Sequence, residues 1–187
     1  MTSNTPRTSI KSGFTLIETL MAIFILTLAI AGPLTIASKG LGAALTAKEQ
    51  TTAFYLAQDA IEFIRYQRDT NRLAGQPWLT GLTTCLTSVS PTGCTVLSIS
   101  HTITACGATC AALNFDGAST FQYTYAAGAG IVTTPFVRKV TIVNPACDTS
   151  GVLCNTDDAR VVVDVSWHDV GKVTHGITVQ ENMLNWQ

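Results

Sequence analysis

The run Gly13-Phe14-Thr15-Leu16-Ile17-Glu18 opens a stretch that stays apolar to Ser38, and after Glu18 no ionisable side chain interrupts it. A helix over residues 14–38 would be about 37 Å long at ~1.5 Å per residue, against a hydrocarbon core of about 30 Å, so it can span a membrane. The residues ahead of Gly13 are polar, with Arg7 and Lys11 as their only charges. A secretory signal carries its small-residue cleavage site after the apolar core, whereas here the glycine precedes it. A cut at Gly13 would therefore leave the apolar helix in the mature chain. Arg7 and Lys11 favour a cytoplasmic amino end, because basic residues flanking a span are retained inside, and everything from Lys39 onward then faces outward.

Glu18 needs a partner. A carboxylate at a bilayer centre costs roughly 2.5–3.5 kcal/mol, and less near an end. In the first turns of a helix the macrodipole favours it by about 0.3–1 kcal/mol. Cleavage after Gly13 would also create the Phe14 α-amine, with a reference pKa of about 7.7–8.0, largely protonated at neutral pH. That amine could belong to the same chain or to a neighbouring copy, and in an apolar surround the pair would reward only the correct register. The plainer reading is a single-span anchor that tolerates a glutamate near the interface.

The segment Gly13-Phe14-Thr15-Leu16-Ile17-Glu18 resembles the recognition site of type IV prepilins and of the related pseudopilins of type II secretion. The resemblance implies that an inner-membrane prepilin peptidase cuts between Gly13 and Phe14 and N-methylates Phe14. It also implies that Glu18 neutralises the amino terminus of an adjacent subunit during filament assembly. The likeness covers roughly residues 7–38 and thins beyond them. One departure is Ser12, where a basic residue would directly precede the glycine; Lys11 lies one place earlier.

Gly32-Pro33 interrupts the apolar run. Proline removes one helical hydrogen bond and crowds the preceding turn, so a kink or local opening is expected there, and membrane helices tolerate one. Filaments of the resembled family melt in this region of the helix, which points to a softening when the subunit leaves the membrane. From Lys39 the helix is expected to continue as an amphipathic stem to residue 72. Ala53, Leu56, Ala57, Ala60, Ile61 and Ile64 recur at helical spacing and define the face that packs on the domain downstream. Lys48, Glu49, Asp59, Glu62, Arg65, Arg68 and Asp69 fall mostly elsewhere and read as facing solvent or other subunits. Gly75-Gln76-Pro77 is the stop signal.

Beyond residue 77 the chain turns to Thr, Ser, Gly, Val and Cys. Residues 95–104, 120–125, 136–143, 160–170 and 173–183 are the strand candidates. The clearest is 160–168, where Val161, Val163, Val165 and Trp167 alternate with Val162, Asp164, Ser166 and His168. Asp169-Val170-Gly171-Lys172 then turns the chain into a partner strand in which His175, Ile177 and Val179 alternate. The expected fold is α+β: a long amino-terminal helix, half transmembrane and half amphipathic, packed on an antiparallel sheet as in pilins. The expected organisation is a leader over 1–13, a transmembrane helix over 14–38, a helical stem over 39–72 and a disulfide-bearing, β-rich ectodomain over 73–187.

All six cysteines lie in the outward half: Cys85, Cys94, Cys106, Cys110, Cys147 and Cys154. An even count outside the cytoplasm favours disulfides, with the connectivity open. Sequence proximity suggests Cys85 with Cys94, Cys106 with Cys110, and Cys147 with Cys154. A thiolate metal site is the weaker reading, since no paired CxxC motifs occur. Asp157 and Asp158 could supply two calcium oxygens, but calcium takes roughly six to eight, so a solvated turn is the better reading. No metal and no cofactor are expected.

Enzyme motifs are absent from the sequence: no zinc-protease helix, phosphate loop or nucleophile elbow. His101, His168 and His175 read as strand-surface residues, and Ser166, His168 and Asp169 along one strand cannot converge as a triad must. With 11 basic and 12 acidic residues the net charge is −1, which offers no broad attraction to nucleic acid. Arg65, Arg68 and Arg72 form a short basic stripe, but Glu62 and Asp69 beside it favour pairing within the helix or between subunits over phosphate binding.

These readings converge on a non-enzymatic filament subunit, a minor pilin or pseudopilin, processed and held in the bacterial inner membrane before assembly. The closing segment from Val161 through Trp167 to Trp186, ending in Asn-Trp, resembles the ends of minor subunits more than of major ones. The implied partners are other pilin or pseudopilin subunits, the prepilin peptidase, an inner-membrane assembly platform and membrane lipid. The alternative from another class is a single-pass anchored extracytoplasmic binding domain that never polymerises.

Overall fold

A computed structural model describes residues 13–143, 158–169 and 173–185. By internal contacts the chain divides into two units, Met1–Leu45 and Thr46–Gln187, and helix α1, Leu16–Leu73, contributes to both.

In the first unit α1 exposes its apolar side chains throughout and passes through Gly32 and Pro33 without a break in helical assignment. Its hydroxyls turn inward on the backbone. Thr19 donates to the Leu16 carbonyl at 2.8 Å, Thr27 to Phe24 at 2.8 Å, Thr35 to Ala31 at 2.9 Å and Ser38 to Leu34 at 2.9 Å. Each hydroxyl proton is thereby satisfied within the helix, although the residues themselves are exposed.

In the second unit the predicted stem face is the buried one: Ala53, Leu56, Ala57, Ala60, Ile61 and Ile64, joined by Phe63. The alanines let the helix approach the sheet closely. The helix ends where Gly75 adopts φ 67, with the Gln76 N–H donating to the Asn71 carbonyl and the Gly75 N–H to Arg72. This paired arrangement satisfies the last carbonyls and needs glycine at the left-handed position. Asn71 is itself buried, and its amide donates to the carbonyls of Trp78 and Thr80, fastening the helix end to the next loop.

Among the described residues seven antiparallel strands come after the helix: β1 (Cys94–Leu97), β2 (Thr102–Ala105), β3 (Ala112–Asp116), β4 (Gln122–Thr124), β5 (Ile131–Val143), β6 (Asp158–His168) and β7 (Thr174–Leu184). A 3-10 turn at Thr83–Cys85 precedes them. Strand β5 is the organiser. Along one edge it pairs with β3 through its first half and touches β1 at Val140, and along the other it pairs with β6 from Val137 to Val143. β2 extends β1, β4 extends β3, and β7 pairs with β6 along its whole length. The alternation read from the sequence holds. Ala159, Val161, Val163, Val165 and Trp167 are buried, each large apolar side chain contributing roughly 1.5–3 kcal/mol. They share the core with Leu82, Val96, Leu113, Val140, Ile142 and the stem face.

Three strand expectations are corrected. Residues 95–104 form a hairpin, β1 and β2, because the chain reverses at 98–101 with His101 at φ 50. No glycine marks that turn in the sequence, and histidine is among the residues that tolerate the left-handed region. β3 was not expected, and β5 begins five residues before its predicted start. Pro135 lies in the added stretch of β5. The structure places it where the β3–β5 register shifts between Ala112 and Asn114, so no ladder bond needs its missing N–H. There the Thr134 hydroxyl donates to the Leu113 carbonyl at 2.7 Å.

Candidate functional site

The amino-terminal segment shows how its residues act locally. Gly13, Phe14 and Thr15 precede the helix. Thr15 is the cap: its hydroxyl accepts the Glu18 N–H at 3.3 Å, and its carbonyl accepts the N–H groups of Glu18 and Thr19. Glu18 thus occupies the third helical position, in the spacing Thr-x-x-Glu that closes a helix start reciprocally. The sequence carried that signal, and the role of Thr15 was missed. At this position Glu18 sits among the free N–H groups of the first turn, where a carboxylate is favoured. No described side chain pairs with it, and both it and Phe14 are exposed, Phe14 to 82 %.

A side chain added at Gly13 would meet nothing within 4 Å, and the residue has no left-handed φ. Among the described residues, neither packing nor backbone geometry calls for glycine there. The same holds at Gly32, where an added side chain also finds open space. Arg7, Lys11 and Ser12 lie outside the described residues.

The stem residues read as facing solvent or other subunits are a second correction, because several of them tie the helix to the sheet. Glu49 accepts from the Trp167 indole at 3.1 Å. Asp59 accepts from Ser98 at 2.7 Å through one oxygen and from Arg138 at 2.7 Å through the other. Arg65 forms a two-pronged pair with Glu181 at 2.7 and 2.6 Å and also donates to Glu62. Glu181 and Glu62 together raise the Arg65 pKa further above its ordinary value. Arg68 pairs with Asp69 on the helix itself. The helix presents more than its apolar stripe to a sheet this wide, so the flanking charges find partners at the margins.

Arg138 is the unexpected member of the core. It is 1 % exposed, and its guanidinium also donates to the backbone carbonyls of Leu56 on α1 and Val96 on β1, at 2.7 and 2.6 Å. One side chain thus joins helix, β1 and β5. Tyr125 lies beside it, where burial pushes the phenol pKa up and the guanidinium pulls it down. At the turn after β3, Asp116 accepts hydrogen bonds from the hydroxyls of Ser119 and Thr120 and from backbone N–H groups, which hold its carboxyl well below the usual range.

Cys85 is joined to Cys94, and Cys106 to Cys110. Cys147, Cys154 and Asp157 lie outside the described residues, and Asp158 begins β6. Among the described residues no group of three or more His, Cys, Asp or Glu side chains could hold a metal ion. His168 and His175 lie on β6 and β7 as expected, and His175 stacks on Trp167 and contacts Asp169 at 3.2 Å. His101 departs from expectation: it sits in the turn before β2, its ring against Tyr66 and Phe63.

Residues 9–32 match the family model described as the prokaryotic N-terminal methylation motif. With the apolar helix and the α+β architecture that accompany it, the match supports the type IV prepilin and pseudopilin family. No curated protein and no solved structure matches the chain.

Proposed function

We propose that the chain is a processed subunit of a type IV filament system, a minor pilin or pseudopilin whose activity is assembly. The observation that carries this reading is the apolar first part of α1, residues 16–38, which is exposed throughout and whose one carboxylate, Glu18, stands at the third helical position, four residues after Phe14. Such a surface requires lipid or other copies of the helix to cover it. Cleavage between Gly13 and Phe14 would place a methylated cationic amine at the mouth of the helix. Glu18 would then pair with the amine of the adjoining subunit, fixing the axial register. The free space around Gly13 supports recognition by an outside agent, the prepilin peptidase, since nothing among the described residues requires glycine there. At Pro33 the Ala29 carbonyl lacks its helical donor, and the helix would soften there as the subunit leaves the bilayer. Before assembly the subunit would rest in the inner membrane with a cytoplasmic amino end, engaging the assembly platform from there.

The test is the amino-terminal residue of the mature protein, read by mass spectrometry of the membrane fraction. N-methylated phenylalanine at Phe14 is the expected result. An intact leader through Gly13 would make this an ordinary single-span anchor and remove the basis for assembly.

A further inference from the structure

Between α1, the β1–β2 turn and the start of β4 lies an open cleft of about 500 Å³, within the roughly 300–1,000 Å³ of small-molecule sites. Its lining includes Tyr55, Asp59, Ser98, Phe121, Gln122 and Tyr123. Phe121 stands at φ 53, a conformation bulky side chains rarely adopt, yet it is 69 % exposed. The chain holds strained backbone for a ring that gains little from its own fold, a pattern associated with ligand clamps. Tyr55 is likewise 67 % exposed, on α1. Tyr123 is fixed by edge contacts with Phe115 and Phe136, at centroid distances of 5.4 and 6.3 Å.

Charge narrows the ligand. Both oxygens of Asp59 are already oriented, one by Ser98 and one by the buried Arg138, and each keeps a lone pair for a further donor. The guanidinium balances the carboxylate, so the cleft offers a positioned acceptor without net charge. A cation therefore finds no unpaired anion, and an anion finds no free base. The Gln122 amide adds both a donor and an acceptor.

We propose that this cleft binds a neutral, hydroxyl-rich ring, that is, a saccharide. Its C–H face lies on the Tyr55 and Phe121 rings, and its hydroxyls donate to Asp59 and exchange hydrogen bonds with Gln122. The inference concerns the ectodomain and holds whether or not the chain enters a filament.

The test is saturation-transfer NMR on the full chain in a detergent without a sugar headgroup, with glucose, galactose and N-acetylglucosamine as probes at millimolar concentration. Transfer to the ring protons of at least one sugar is expected, weakened tenfold or more by Tyr55→Ala and by Phe121→Gly. Phe121→Gly should melt no lower than the parent, because glycine adopts φ 53 freely, so loss of binding cannot be laid to misfolding. Absence of transfer from all three sugars overturns the proposal. Transfer that survives both substitutions places the sugar elsewhere and overturns it too. Copy-to-copy crosslinking through position 121, without sugar binding, would identify the cleft as a subunit interface and equally overturn it.

Discussion

Removing the Asp59 carboxylate should destabilise the ectodomain more than a surface pair could. The Arg138 side chain is 1 % exposed and the Asp59 side chain 42 %, with 2.7 Å between them. An exposed pair is worth about 0–1 kcal/mol, whereas breaking a fully buried one costs about 3–5 kcal/mol because a desolvated charge is stranded. In Asp59→Ala the guanidinium would keep its bonds to the Leu56 and Val96 carbonyls but lose its counter-charge. The half-open position of Asp59 places the loss between those limits, at about 2–3 kcal/mol. For a domain of this size that is a fall in melting temperature of roughly 4–12 °C. Near-UV circular dichroism of the full chain in micelles would follow it through the buried Trp78 and Trp167. Arg138→Met added to Asp59→Ala should recover part of the loss, since no buried cation remains. A single Asp59→Ala variant melting within about 2 °C of the parent would refute the argument that a stranded charge governs this site.

Gly13→Leu should leave the fold intact, given the open space at that position, and accumulate a full-length precursor in membranes; normal processing seen by mass spectrometry would remove the assigned junction. Glu18→Ala should be processed normally yet enter purified filaments at least tenfold less than the parent, and equal incorporation by quantitative immunoblot would sink the register role. Mild reductant followed by alkylation and peptide mapping should label Cys106 and Cys110 before Cys85 and Cys94, because the latter pair is fully buried. Simultaneous labelling would contradict that burial. The Asp116 carboxyl is held below its ordinary range, so its contribution is complete above about pH 4, its reference pKa, and fades as pH falls toward the folded value. The melting-temperature gap between the parent and Asp116→Ala should therefore narrow from pH 6 toward pH 2, and a gap that widens on acidification would reverse the sign.

The parts of the fold legible in the sequence were those governed by one periodicity. The stem face from Ala53 to Ile64 and the alternation from Val161 to Trp167 are local patterns that a single buried surface imposes. The Gly75 stop signal was legible because only glycine fits that left-handed turn cheaply. The hairpin at 98–101 was not, since His101 makes a turn that carries no glycine. Nor was the role of Arg138, which looks like any strand-surface arginine until β1 and α1 arrive around it from 42 and 79 residues away along the chain. At the amino terminus Glu18 could be located, and the Thr-x-x-Glu spacing also carried the cap at Thr15, which was overlooked. The Tyr55–Phe121 cleft joins segments that no local window connects.

The inward turn of Thr19, Thr27, Thr35 and Ser38 has a consequence for crowding in the bilayer. With every one of these hydroxyl protons spent on its own backbone, none is left to donate to a neighbouring helix, and beyond Glu18 such a contact rests on packing between side chains and acyl tails. On the proposed reading, copies stored side by side in a bilayer would meet through few directional contacts. A cation delivered to Glu18 would then supply the directional contact that the rest of the span withholds.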